Sequence, residues 1–197
     1  MLSNPNGEME KMDPRVRRTR QMLVQAFMEL VKSEGFQAIN VQEITDRAGV
    51  NRATFYAHFQ DKYALLDYSV REGFQRELES RVLNACEFSI ENLRLLIVTV
   101  CEFVAELHAH CLAPEQQFQT LIETQIRTQV YGLILHWLEI TKQIENNPER
   151  AATAASWAIY GLAQQWSKEK HAPPADQFAN EVLPLVANNL SLAHQPA

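Results

Sequence analysis

Glycine and proline are scarce in this 197-residue chain, at six and eight residues, and long β-branched runs are missing. That leaves too little turn punctuation for a sandwich or barrel, while stretches rich in Ala, Leu, Glu and Gln favour helix. No apolar run approaches the ~20 residues needed to span a membrane. Residues 1–12 carry no apolar core of a secretory leader. Cys86, Cys101 and Cys111 make no C-x-x-C pair, and their odd number argues against a disulfide framework. Reduced thiols and a cytoplasmic location are expected. His108, His110 and Cys111 form the one metal-like cluster, but H-x-H-C at a helix end is not a zinc spacing. Without a Ser/His/Asp set, a glycine-rich phosphate loop or paired inward carboxylates, neither an enzyme nor a catalytic residue, cofactor or metal is expected.

The net charge of −6 is unevenly placed. Residues 11–62 hold nine basic and six acidic side chains, whereas residues 84–197 hold six basic and twelve acidic ones. A basic end suited to phosphates is thus joined to an acidic remainder.

Helix punctuation is clear along the chain. Asp13-Pro14 is a cap followed by a first-turn proline, and Leu23, Ala26, Phe27, Leu30 and Val31 recur at helical spacing up to Gly35. Phe36, Ile39, Ile44, Ala48, Phe55 and Phe59 are expected to share that core. A helix over about 61–84 closes it with Leu65, Leu66, Val70 and Phe74. Further helices are read over 89–111, from Pro114 to about Glu145, from Asn147-Pro148 to about Lys170, and over 175–193, where Pro184 removes one backbone donor and should kink the helix. The expectation is an all-α fold of about nine helices. Its divisions are a disordered arm (1–12), a three-helix domain (13–60), a connecting helix (61–84) and a larger helical domain (85–197).

Residues 41–62 read V-Q-E-I-T-D-R-A-G-V-N-R-A-T-F-Y-A-H-F-Q-D-K. Asn40 and Glu43 form a capping box, Gly49 turns the chain with positive φ, and Asn51 caps a second short helix. This is a helix-turn-helix layout, which props its second helix for entry into a major groove. The contiguous I-T-D-R-A-G-V, T-F-Y-A-H-F and D-K-Y-A-L-L segments resemble the TetR family of bacterial transcriptional regulators over about residues 14–75. Val41 stands where many members carry Thr and offers no hydroxyl to a phosphate.

The resemblance places Asn51, Arg52, Ala53, Thr54, Tyr56 and His58 at the groove. Arg suits guanine, Asn adenine, and Thr the thymine methyl. Lys62, at the start of the following helix, suits a phosphate. Arg17, Arg18 and Thr19 lie in a basic first turn that opposes its own helix dipole, which phosphates would offset. The implied protein is a homodimeric repressor, bound to a palindromic double-stranded operator and released by a small-molecule effector. The same fold without an inducer, recruiting another protein while bound to DNA, is the alternative. In relatives of this kind two C-terminal helices from each subunit form the dimer interface. Here Ala151, Ala154, Ala155, Ala158 and Gly161, with Val182, Leu185 and Val186, either fill that role or pack within one chain. An effector pocket is implied among Phe103, His108, Phe118, Glu123, Tyr131, Trp137, Trp157 and Tyr160. The acidic surroundings lean toward a neutral or cationic aromatic or amphipathic ligand.

Overall fold

The first helix starts where Asp13 accepts a hydrogen bond from the Arg15 amide at 2.8 Å with Pro14 in its first turn. In the computed structural model, which describes residues 13–82, 88–110, 116–141 and 147–191 (backbone only at 110, 116–118 and 191), eight helices and no strand occur among the described residues. They are α1 (Pro14–Glu34), α2 (Val41–Ala48), α3 (Arg52–His58), α4 (Lys62–Arg81), α5 (Ile90–His110), α6 (Gln116–Thr141), α7 (Pro148–Trp166) and α8 (Ala175–Ser191). Their contacts divide the chain into two compact units, Met1–Ser69 and Val70–Ala197, with the boundary inside α4. The expected arm at 1–12 lies outside the described residues.

In the first unit the predicted core closes. Leu23, Phe27, Ile44, Phe55 and Leu65 are fully buried, and Phe36, Ile39, Ala48, Phe59 and Leu66 nearly so. Each large apolar side chain contributes about 1.5–3 kcal/mol by leaving water. Edge-on packing of Phe27 against Phe36, with ring centroids 6.1 Å apart, ties the end of α1 to the loop that follows it. Asp61 caps α4 through the Ala64 amide at 2.8 Å.

The second unit is built from α5 to α8 and the later part of α4. Helix α6 packs on α7, α5 on both α7 and α8, and α7 on α8. Leu93, Leu96, Ile97, Val100 and Val104 of α5 and Ile126, Val130, Ile134 and Trp137 of α6 are all buried in this unit. The Trp166 indole donates to the Pro173 carbonyl at 2.8 Å and its ring stacks on Phe178, pinning the α7–α8 connection. Pro184 lies within α8, which runs on to Ser191. No described helix is long and apolar enough to cross a membrane.

Candidate nucleic-acid interface

The turn between α2 and α3 follows from three residues. Asn40 and Glu43 make both halves of the capping box, at 3.1 and 2.8 Å. Gly49 adopts φ 68°, ψ 32°, a left-handed conformation that a side chain disfavours. The Val50 amide then returns to the Thr45 carbonyl at 3.0 Å, closing the turn.

Asn51 Oδ1 caps α3, accepting from the Thr54 amide at 2.7 Å and from the Thr54 hydroxyl at 3.0 Å. Both observations change the expected base reading. Two-point recognition of adenine needs the Asn oxygen as acceptor, and here that oxygen serves the helix. The Thr54 proton is likewise engaged. Arg52, Ala53 and Tyr56 remain exposed on α3, while Phe55 on its other side is fully buried. Arg52 Nη2 donates to the Tyr56 hydroxyl at 3.3 Å, so the two side chains lie together along one edge of the helix.

Around that edge the phosphate candidates divide. Arg17 and Arg18 are exposed. The Thr19 hydroxyl donates to the Arg15 carbonyl at 3.0 Å, so the hydrogen bond a phosphate would take is already made within α1. His58 is half-buried, and burial followed by the Arg20 charge lowers its pKa, which keeps the ring neutral in the free protein. Arg20 belongs to the same basic turn but was not among the expected phosphate contacts. Its guanidinium lies 5.7 Å from the Phe59 ring centroid and 5.2 Å from that of Tyr68, with Nε buried and without a hydrogen-bond partner. The run of basic residues that it ends was the available signal.

Lys62 differs most from expectation. Its Nζ donates to the carbonyls of Phe36, Gln37 and Ile39 at 3.1, 3.3 and 2.9 Å, and lies over the Phe36 ring. An ammonium has three donors, and all are engaged in gathering the loop that leads into α2. A phosphate can be held only by releasing one. Lys62→Met, which keeps the aliphatic stem, should therefore lower stability by about 1–3 kcal/mol because partly buried carbonyls lose a charged donor. Urea unfolding checks this, and an unchanged midpoint would mean that the lysine serves DNA alone.

In the second unit the pocket candidates separate. Trp137 is fully buried, edge-on to Phe88, and belongs to the core. Phe103 packs on Phe74 with centroids 5.1 Å apart. The Ser167 hydroxyl donates to the Gln164 carbonyl, so His108 Nδ1, 2.7 Å from that oxygen, acts as the donor. The side chain of Phe118 lies outside the described residues, as do those of His110 and Cys111. Glu123, Tyr131, Trp157 and Tyr160 gather around Arg127. A cleft of about 220 Å³ opens there, lined by Arg127, Thr128, Tyr131, Thr153 and Ser156. Tyr160 is buried, and desolvation, reinforced by the Glu123 charge, pushes its phenol up to about 12, so it stays neutral.

The small-residue stripe also divides. Ala155, Val182 and Val186 are buried within the chain and cannot meet a second copy. Ala151 and Ala158 are half-buried, whereas Ala154 and Gly161 are exposed on the same side of α7 as Trp157, itself 50% exposed, and Leu185 is exposed on α8. The stripe runs along the border between the inner and outer faces of α7.

Residues 23–68 match the family described as bacterial regulatory proteins, tetR family. The chain is 38% identical over 184 residues to YxbF of Bacillus subtilis (strain 168), an HTH-type transcriptional regulator. That match covers 90% of this chain and 47% of YxbF, so the chain spans about half the length of the curated relative it matches. Among solved structures, RolR in complex with resorcinol superposes with a TM-score of 0.56 at 18% identity, covering 92% of this chain and 96% of RolR. FadR from Bacillus subtilis in complex with stearoyl-CoA gives 0.58 at 18% identity, covering 86% of this chain and 98% of FadR. Both likenesses concern the fold. The helix-turn-helix geometry and these matches together show that residues 23–68 are similar to the tetR family of bacterial regulatory proteins.

Proposed function

We propose that this chain is a cytoplasmic, homodimeric transcriptional repressor that binds a near-palindromic operator and is released by a small molecule. The observation that carries the reading is the exposed Arg52–Tyr56 edge of α3, held in place by a fully buried Phe55 on the other side. A short helix anchored in this way offers donors to base edges without losing its own packing. The basic segment over residues 11–62 supplies the long-range attraction to phosphates. Pairing through the outer faces of α7 and α8, where Ala154, Trp157, Gly161 and Leu185 are exposed, gives two reading helices a two-fold relation suited to a palindrome. Relatives of the same fold solved with resorcinol and with stearoyl-CoA support effector control. In that scheme the effector favours a conformation that binds DNA less well.

The test is selection of bound fragments from a genomic library, followed by anisotropy on the enriched site. Arg52→Ala should weaken binding by about 1–3 kcal/mol per half-site and relax the base preference beneath it. If no sequence is enriched over bulk DNA, specific regulation is excluded.

A further inference from the structure

Arg127 is unusual among the side chains of the second unit. Its only polar contact among the described residues is an ion pair, Nε to Glu123 Oε1 at 3.5 Å, and the buried Nε has no hydrogen-bond partner. The guanidinium lies over the Trp157 ring, with Cζ 3.5 Å from the ring centroid. Stacking of this kind fixes the plane and leaves the N–H edge free to donate. That residue lines the cleft between α6 and α7.

The other lining groups sort by helix. On α7 the Thr153 hydroxyl donates to the Glu149 carbonyl at 2.7 Å and the Ser156 hydroxyl to the Thr153 carbonyl at 2.8 Å, so both protons are engaged by the backbone. On α6 the hydroxyls of Thr128 and Tyr131 join Arg127 as the donors of the cleft. The available hydrogen-bond donors thus lie on one wall and include the one cation of the lining. A volume of about 220 Å³ equals roughly seven waters at ~30 Å³ each. It falls below the ~300 Å³ at which drug-sized sites begin, and a single-ring acid fills it.

We propose that this cleft binds a small organic carboxylate, gripped by the edge of the Arg127 guanidinium. The assignment rests on the effector-responsive reading given above and reverses the charge preference drawn from the acidic composition. A carboxylate matches the planar fork of an arginine in two-point fashion, which neither a neutral amide nor a cation does. Glu123 is the internal competitor for the same guanidinium, and the ligand completes what Glu123, at 3.5 Å, satisfies only in part.

Calorimetry on the full chain with benzoate as probe, and benzamide and benzylamine as neutral and cationic counterparts, tests this. Benzoate should bind once per chain and at least tenfold tighter than benzamide, with benzylamine weakest. Arg127→Gln should bring benzoate down to the level of benzamide, and Arg127→Lys should keep part of the difference. Glu123→Gln should tighten benzoate severalfold, a gain that a damaged fold cannot produce. The proposal is overturned if benzoate fails to bind, if it binds no tighter than benzamide, or if Glu123→Gln leaves it unchanged. Operator anisotropy separates the two readings. Benzoate that binds without releasing DNA removes the effector role and leaves the carboxylate site standing. A ligand-free chain with no operator preference sinks the regulator reading without touching the calorimetric result.

Discussion

Ala155→Arg is expected to prevent folding of the second unit, while Ala154→Arg, one residue away, yields a folded monomer. Ala155 is fully buried within α7's own chain, so an arginine there brings a charge and a long side chain into a packed core. Overpacking and an unpaired buried charge together place the loss at about 4 kcal/mol or more. Ala154 faces solvent beside Trp157 and Gly161, where an added side chain disturbs only a second copy. Circular dichroism and sedimentation on the two variants separate the outcomes. A folded Ala155→Arg variant would contradict the inner face assigned here. A dimeric Ala154→Arg variant would contradict the outer one.

The second large effect is expected at Trp137. Truncation to Ala removes the largest fully buried side chain and leaves a void that the surrounding side chains fill only in part. A loss of about 3–5 kcal/mol follows, read as a lower urea midpoint with little change in slope. Trp137→Phe should recover much of it. If instead Trp137→Ala keeps its stability and loses ligand response, the indole lines a site and not the core.

What the sequence made legible was local. The Asp13, Asn40 and Asn51 caps, the Gly49 turn and the Leu23–Val31 stripe all depend on residues within a turn of one another, and each matches the structure. Long-range partnerships were illegible. The carbonyls that hold Lys62 lie 23 to 26 positions upstream, and nothing in residues 36–39 advertises them. Arg127 counted only as one of few cations until α7 brought Trp157, thirty positions later, against it. Aromatic residues in apolar helices read alike whether they line a cleft or fill a core, so Trp137 and Tyr131 could not be separated. The alanine stripe stayed undecided for a different reason. A helix with small residues on adjoining faces has no strong contrast to say which one turns inward.

If the chain binds a palindromic operator as proposed, the double use of Asn51 has a consequence for the DNA it selects. Because its oxygen closes the cap of α3, replacing that side chain would disturb the helix as well as any base beneath it, so Asn51 is a poor place to retune specificity. The information in each half-site should concentrate at the few base pairs under Arg52 and Tyr56, with weak preference on either side. A sequence logo built from selected fragments would then show two short, tall islands in mirror arrangement. Discrimination among genomic sites would come from the fixed distance between those islands more than from the length of either.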